Sequence, residues 1–195
     1  MDFTAFVLQE LPQPPARIIE IGCGDEGGLV PALVAAGYDA IGVDPRAPAG
    51  ERFRQCDFRE VIGAFDAAVV GRVVHHLFPL VEALDHLAAL APVVVVDEFA
   101  WDLIDPELQA WYEAHHRPSS PGPASLAEWR SRHAHELHAH DAVLAALRAR
   151  WDERVLNWVP YFPRWLATDE ESPDRIGFQW AGANTSTTRS AAASR

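Results

Sequence analysis

The sequence predicts an α/β fold: a doubly wound, mostly parallel seven-stranded sheet with an antiparallel C-terminal strand and a helical insertion between strands five and six. Three observations predict it. Short apolar, β-branched runs alternate with helically spaced ones as far as Phe99, the pattern of parallel strands buried on both faces. A glycine-rich loop follows the first of these runs and opens a helix. Near the end, two strand-like runs are joined by a segment too short for a long crossover helix, which pairs them antiparallel.

The elements follow in order. Asp2–Glu10 carries Phe3, Phe6, Val7 and Leu8 at helical spacing, and Pro12, Pro14 and Pro15 stop that helix. Arg17–Gly22 is the first strand, and Gly28–Ala36 is helical up to Gly37. Strand-like runs return at Tyr38–Asp44, Arg52–Asp57, Phe65–Val73 and Pro92–Phe99, with a helix over Pro79–Leu90 before the last. Beyond Phe99, the helical stretches Pro106–His116 and Ser125–Arg150 flank a turn cluster at Pro118–Pro123. Ser125 and Glu128 have capping-box spacing. Arg154–Phe162 and Arg175–Gly182 form the closing pair. This makes one domain over residues 1–183 with an insertion at about 103–150. The Ser/Thr/Ala-rich residues 184–195 read as a disordered tail.

A chain of 195 residues with 49% hydrophobic content fills one compact domain. Its 16 basic residues, all arginine, face 28 acidic ones, and the net charge of -12 disfavours binding to a nucleic-acid backbone. Cys23 and Cys56, the two cysteines, read as unpaired cytosolic thiols. There is no signal-peptide pattern and no apolar run near the roughly 20 residues of a membrane span, so a cytoplasmic protein without a membrane partner is expected. The oligomeric state is left open.

Gly22-Cys23-Gly24-Asp25-Glu26-Gly27 satisfies G-x-G-x-x-G between strand and helix, and Asp44 ends the second strand. Alone, this permits a nicotinamide dinucleotide. Glu20 tips the balance, because a carboxylate at the end of strand one repels a pyrophosphate and suits the ammonium and sulfonium of S-adenosylmethionine. Asp44 can accept the ribose hydroxyls, Asp57 can meet the adenine amino group, and Phe58 can cover the ring. The loop residues Gly22, Cys23 and Gly24, together with Arg72 past strand four, join these as cofactor contacts.

Methyl transfer needs positioning above all, with a base where the acceptor must lose a proton. His75 and His76 follow strand four at the carboxyl edge of the sheet and are candidates for that base. Glu98, after strand five, is a second candidate to bind or deprotonate the acceptor. Trp101 beside it suits packing better than catalysis. On one continuous helix His133 and His140 share a face opposite His135 and His138, so no metal site is expected. The His135/His138 pair, and with it Tyr161, can instead face the acceptor from a helical lid, with His138 as a further catalytic candidate.

Glu20-Ile21-Gly22-Cys23-Gly24, Val43-Asp44-Pro45, and Phe65–Val70 leading to Val74-His75-His76-Leu77 resemble the corresponding stretches of class I, Rossmann-like S-adenosylmethionine-dependent methyltransferases, over nearly the whole chain. More narrowly, Asp97–Asp102, Trp129 with His135-x-Leu137-His138, Trp158-x-Pro160-Tyr161 and Ile176-Gly177-Phe178 are similar to an uncharacterised actinobacterial group. The resemblance implies the cofactor and the fold, not the acceptor, for which a small molecule methylated on oxygen or nitrogen is favoured. Two departures stand out. Glu26 occupies a position that is usually glycine, which delays the helix start to Gly27 and Gly28, and the turn before strand five is reduced to Ala91-Pro92. The alternatives are a nicotinamide-dependent oxidoreductase or a fold that binds S-adenosylmethionine without catalysis.

Overall fold

The computed structural model describes residues 2–168 and 171–184. Seven strands form one sheet: β1 (Arg17–Ile21), β2 (Asp39–Val43), β3 (Phe53–Arg54), β4 (Ala67–Gly71), β5 (Val93–Phe99), β6 (Asp152–Val159) and β7 (Gly177–Ala183). Their spatial order is β3-β2-β1-β4-β5-β7-β6. All neighbours are parallel except β7, which runs antiparallel to both β5 and β6. Strand order therefore reverses between β1 and β4, and a crevice opens there beyond the carboxyl ends of the strands.

Alternation along the central strands explains why they read as continuous apolar runs. Ile19, Ile21, Ala68, Val70, Val94 and Val96 face one core, where α3 (Leu80–Leu90) contributes Leu84 and Leu87 and α6 (His140–Arg148) contributes Val143, Leu144 and Leu147. Ile18, Ala67, Val69 and Val95 face the other, against Phe6 and Val7 of α1 (Phe3–Glu10) and Leu33 of α2 (Val30–Ala35). Each strand residue thus removes apolar area from water on one side or the other, at roughly 25 cal/mol per Å².

Three sequence expectations are corrected. The expected strand Arg52–Asp57 is a two-residue edge ladder, because Asp57 turns away to cap the short 3-10 turn Phe58–Glu60, accepting from the Arg59 N–H at 2.9 Å. Regular helix begins at Val30 rather than at Gly27 or Gly28. Gly27 and Gly28 carry left-handed φ values of 84° and 55°, which leaves Glu26 exposed and free of that demand. The continuous helix expected over Ser125–Arg150 is broken. It divides into α5 (Leu126–His133), a 3-10 turn over Ala134–Glu136, and α6. The His138 N–H donates to the His75 carbonyl at 2.9 Å, and Asp102 takes both the N–H and Nδ1 of His140, at 3.0 and 2.7 Å, so long-range partners replace the intrahelical ones.

Finally, the link between the closing strands contains a short helix, α7 (Phe162–Leu166). Of the expected insertion, α4 (Pro106–His115) and α5 pack on each other, whereas α6 packs beside α3 as part of the sheet-flanking layer. Apart from Asn184, the expected tail lies outside the described residues. Among those residues no helix is long and apolar enough to cross a membrane.

Candidate active site

Gly22 follows β1 with φ 81°, and a Cβ there would lie 2.2 Å from Val73 Cγ2, so only glycine lets the loop after β4 approach this closely. Around Gly22 three cavities meet at the carboxyl edge of the sheet. The first, about 280 Å³, lies among Asp44, Pro45, Cys56, Asp57, Phe58, Leu77 and Phe78. The second, about 460 Å³, is walled by Phe3, Glu20, Cys23, Gly24, Leu29 and Arg72. The third, about 470 Å³, touches Gly24, Asp44, Arg72 and Val73 and reaches out to His75, His76 and a set of aromatic rings. Shared walls make one groove of them, with Asp44 and His76 between the first and third and Gly24 and Arg72 between the second and third.

Backbone amides fix the two carboxylates of the groove. Asp44 Oδ1 accepts from the Arg46 N–H at 2.7 Å and Oδ2 from the Gly24 N–H at 3.2 Å, which fixes the carboxylate while each oxygen keeps a lone pair for a hydroxyl. Both Glu20 oxygens lie within 2.9 Å of the Leu29 N–H, and the side chain is only 4% exposed. Burial pushes this carboxyl up to about 7, against the lowering pull of the Leu29 and Val30 amides. A Cβ on Gly28 would stand 2.3 Å from Glu20 Oε1, so the loop wraps directly on the acid.

Cys23 is buried, and its thiol is raised to about 11, by burial first and then by Glu20 and Asp44. It stays protonated and contributes as a small apolar wall. Asp57 and Phe58 line the first cavity, with Asp57 also paired to Arg59 at 3.0 Å. Arg72 holds a left-handed φ of 57°, unusual for a side-chain-bearing residue, and its guanidinium is 3.7 Å from Asp97.

Among the expected catalytic residues the arrangement is more selective. Glu98 is 1% exposed and accepts from the Val74 N–H at 2.6 Å, the Phe99 N–H at 3.1 Å and His75 Nδ1. It lines none of the three cavities and its oxygens are already engaged, so the expectation that it meets an acceptor directly is corrected. Pairing of Nδ1 with Glu98 leaves Nε2 as the His75 ring nitrogen without a protein partner among the described residues. His75 and His76 both line the third cavity, with ring centroids 4.2 Å apart. His76 is held below the ordinary histidine range, by desolvation first and then by His75.

His138 is also corrected. It donates its Nε2–H to the Leu77 carbonyl, 2.9 Å away, and stacks on Phe78, bracing the loop after β4 outside the third cavity. His135 is exposed beside Glu136, and Trp101 gives its indole N–H to the His138 carbonyl at 2.9 Å. His140 is engaged by Asp102.

Several residues at the third cavity escaped the sequence reading. Trp129 and His133 of α5 line it together, and their i, i+4 spacing was a usable signal. Trp165, Phe99 and Arg46 line it as well, and Tyr161 joins them. Nothing local in the sequence announces Trp165. It arrives because Asp174, fully buried, accepts from the Tyr161 N–H at 2.5 Å and the Phe162 N–H at 3.1 Å, which folds α7 back over the sheet edge.

The methyltransferase-domain family matches residues 1–162. No curated protein matches the chain. Solved structures match over most of its length. Magnesium protoporphyrin IX methyltransferase from Synechocystis, determined with bound S-adenosylhomocysteine, is 16% identical, with a TM-score of 0.59 over 93% of this chain and 80% of that one. An S-adenosylmethionine-dependent methyltransferase from Mesorhizobium loti is 15% identical, with a TM-score of 0.59 over 92% and 96%. A chain from the complex between the Trm112 methyltransferase activator and a methyltransferase of Haloferax volcanii is 12% identical, with a TM-score of 0.60 over 93% and 88%. At these identities the likeness establishes the fold.

Proposed function

The chain belongs to the methyltransferase-domain family, and from that premise we propose that it transfers a methyl group from S-adenosylmethionine to an oxygen or nitrogen of a small molecule. The observation that carries this reading is the single groove around Gly22, with a fixed carboxylate at its middle and a histidine pair at one end. The donor supplies an electrophilic methyl carbon on a positively charged sulfur. Every other requirement falls on this chain's residues.

Asp57 and Phe58 bound the part of the groove suited to adenine, Asp44 offers its free lone pairs to the ribose, and Glu20, Gly24 and Arg72 border the end suited to an amino acid. His75 is the base on this reading, held in one tautomer by Glu98. His76, neutral at physiological pH because its pKa is lowered, is positioned to share that task. General-base assistance is typically worth about 100-fold to 10,000-fold. α4 and α5 serve as the cover, since Trp129 and His133 look into the third cavity from α5. The Asp97–Asp102 and Trp158–Tyr161 motifs support the narrower likeness to the actinobacterial group, and a cytoplasmic location belongs to the same reading.

Family membership does not favour the nicotinamide alternative, and Glu20 beside the loop would repel a pyrophosphate. Calorimetric titration with S-adenosylmethionine, S-adenosylhomocysteine and NAD tests the proposal. Saturable binding of the two sulfur nucleosides without NAD binding is expected. NAD binding, or binding of none, would overturn it.

A further inference from the structure

The third cavity differs from the other two in its walls. Phe99 forms its floor, stacked on Tyr161 at 4.0 Å between centroids and met by Trp165 at 5.1 Å, Trp129 at 5.7 Å and His75 at 6.5 Å. Trp129 and Trp165 cross at 67° and stay only partly buried, although both pack against the core. Trp101, Trp151 and Trp180 give their indole N–H to protein acceptors, whereas Trp111 and Trp158, like the two tryptophans of this cavity, have none among the described residues. Among the described residues, neither Trp129 nor Trp165 has such an acceptor, and the Tyr161 hydroxyl has no partner either. Burial raises that hydroxyl to about 12, so it remains a donor. Buried tyrosines normally satisfy their hydroxyl, and Tyr161 is only 5% exposed. Trp129, Trp165 and Tyr161 bring ring surface and unused donors to one cavity, within reach of the histidine pair.

Resting on the reading of this groove as a methyl-transfer site, we infer that its acceptor is a planar, oxygen-bearing aromatic molecule of the phenol class. Its ring packs among Trp129, Tyr161 and Trp165, and ring oxygens accept from their donors. The hydroxyl to be methylated faces His75 and gives its proton to Nε2. The phenolic oxygen gains the methyl carbon as the carbon–sulfur bond breaks, its electron pair returning to a sulfur that becomes neutral. The aromatic rings confer specificity for a flat ligand, because offset and edge-to-face contacts reward planarity beyond the area they bury.

Nitrogen-15 NMR of the tryptophan indoles reads this site directly and without turnover. In protein saturated with S-adenosylhomocysteine, 2-naphthol is titrated against decahydro-2-naphthol, which keeps the carbon skeleton and the hydroxyl but loses the ring planes. The Trp129 and Trp165 signals, assigned by Trp129→Phe and Trp165→Phe, are expected to shift saturably, with 2-naphthol binding about tenfold more tightly. Equal affinity of the two alcohols, shifts confined to other indoles, or no 2-naphthol binding to the saturated protein would overturn the inference. Failure of S-adenosylhomocysteine itself to bind is a separate result, and it would instead remove the reading of the groove on which the inference rests.

Discussion

Asp44 is tied by two backbone N–H groups at the junction of two cavities, so its loss should be felt by whatever ribose lies there. Asp44→Ala is expected to weaken S-adenosylhomocysteine by about 1.5–3 kcal/mol, the range for hydrogen bonds to a charged group. Calorimetry on a variant that keeps its unfolding transition checks this, and unchanged affinity would count against the assignment. Glu20 gives a pH signature. Its carboxyl is raised to about 7, and the ammonium of the ligand's amino-acid end favours its ionised form, so binding expels a proton from a site protonated at lower pH. Affinity for S-adenosylhomocysteine should therefore climb as pH rises to 7, by up to about tenfold per unit, and level off above it. Glu20→Gln should flatten that dependence. For catalysis, His75→Ala is expected to lower turnover by about 100-fold to 10,000-fold while leaving S-adenosylhomocysteine affinity nearly intact. Lost cofactor affinity in steady-state and binding measurements would make His75 structural. These residues were legible because each sits at a strand end that alternation already marked. The engagement of Glu98 was not, since the donors that claim its oxygens come from the turn after β4, 23 and 24 positions away.

The elements divide along a similar line. Parallel strands buried on both faces announce themselves by unbroken apolar runs, and β1, β2, β4 and β5 follow the sequence pattern closely. β3 is shorter than its apolar pattern because only its first residues reach a neighbour before Asp57 becomes a cap. The interruption between α5 and α6 was hidden for a different reason. Residues 125–150 keep helical periodicity throughout, and tertiary partners override it: Asp102 captures His140, and the carbonyl of His75 captures the His138 amide. Asp102→Ala should then destabilise the fold by about 1–3 kcal/mol, the usual cost of leaving such a group unpaired. Chemical denaturation measures this, and an unchanged midpoint would show that the break has another cause. The same break explains why His133, rather than His135 or His138, reaches the cavity. A helical wheel drawn across it assigns faces that do not exist.

For the whole molecule, the sheet acts as a frame that delivers residues distant in sequence to one edge. Gly22, Asp44, Arg72, Phe99, Trp129 and Trp165 meet there although they span most of the chain. The fold class was readable from period and order, because those are local properties repeated along the chain. The aromatic wall was not, because it depends on α7 folding back under the hold of the buried Asp174, a contact between segments that no spacing encodes. The net charge of -12 belongs to this scale too, and it disfavours a polyanion as partner. On the proposed function, one groove around Gly22 seats the methyl donor with its sulfur turned toward the histidines and the aromatic wall. A crystal structure with S-adenosylhomocysteine tests it most directly. The ribose hydroxyls are expected on Asp44, the adenine beside Asp57 and Phe58, the amino-acid end at Glu20–Gly24, and the sulfur facing the cavity of His75 and Trp165. A nucleoside seated elsewhere, or one whose sulfur faces away from that cavity, would contradict it.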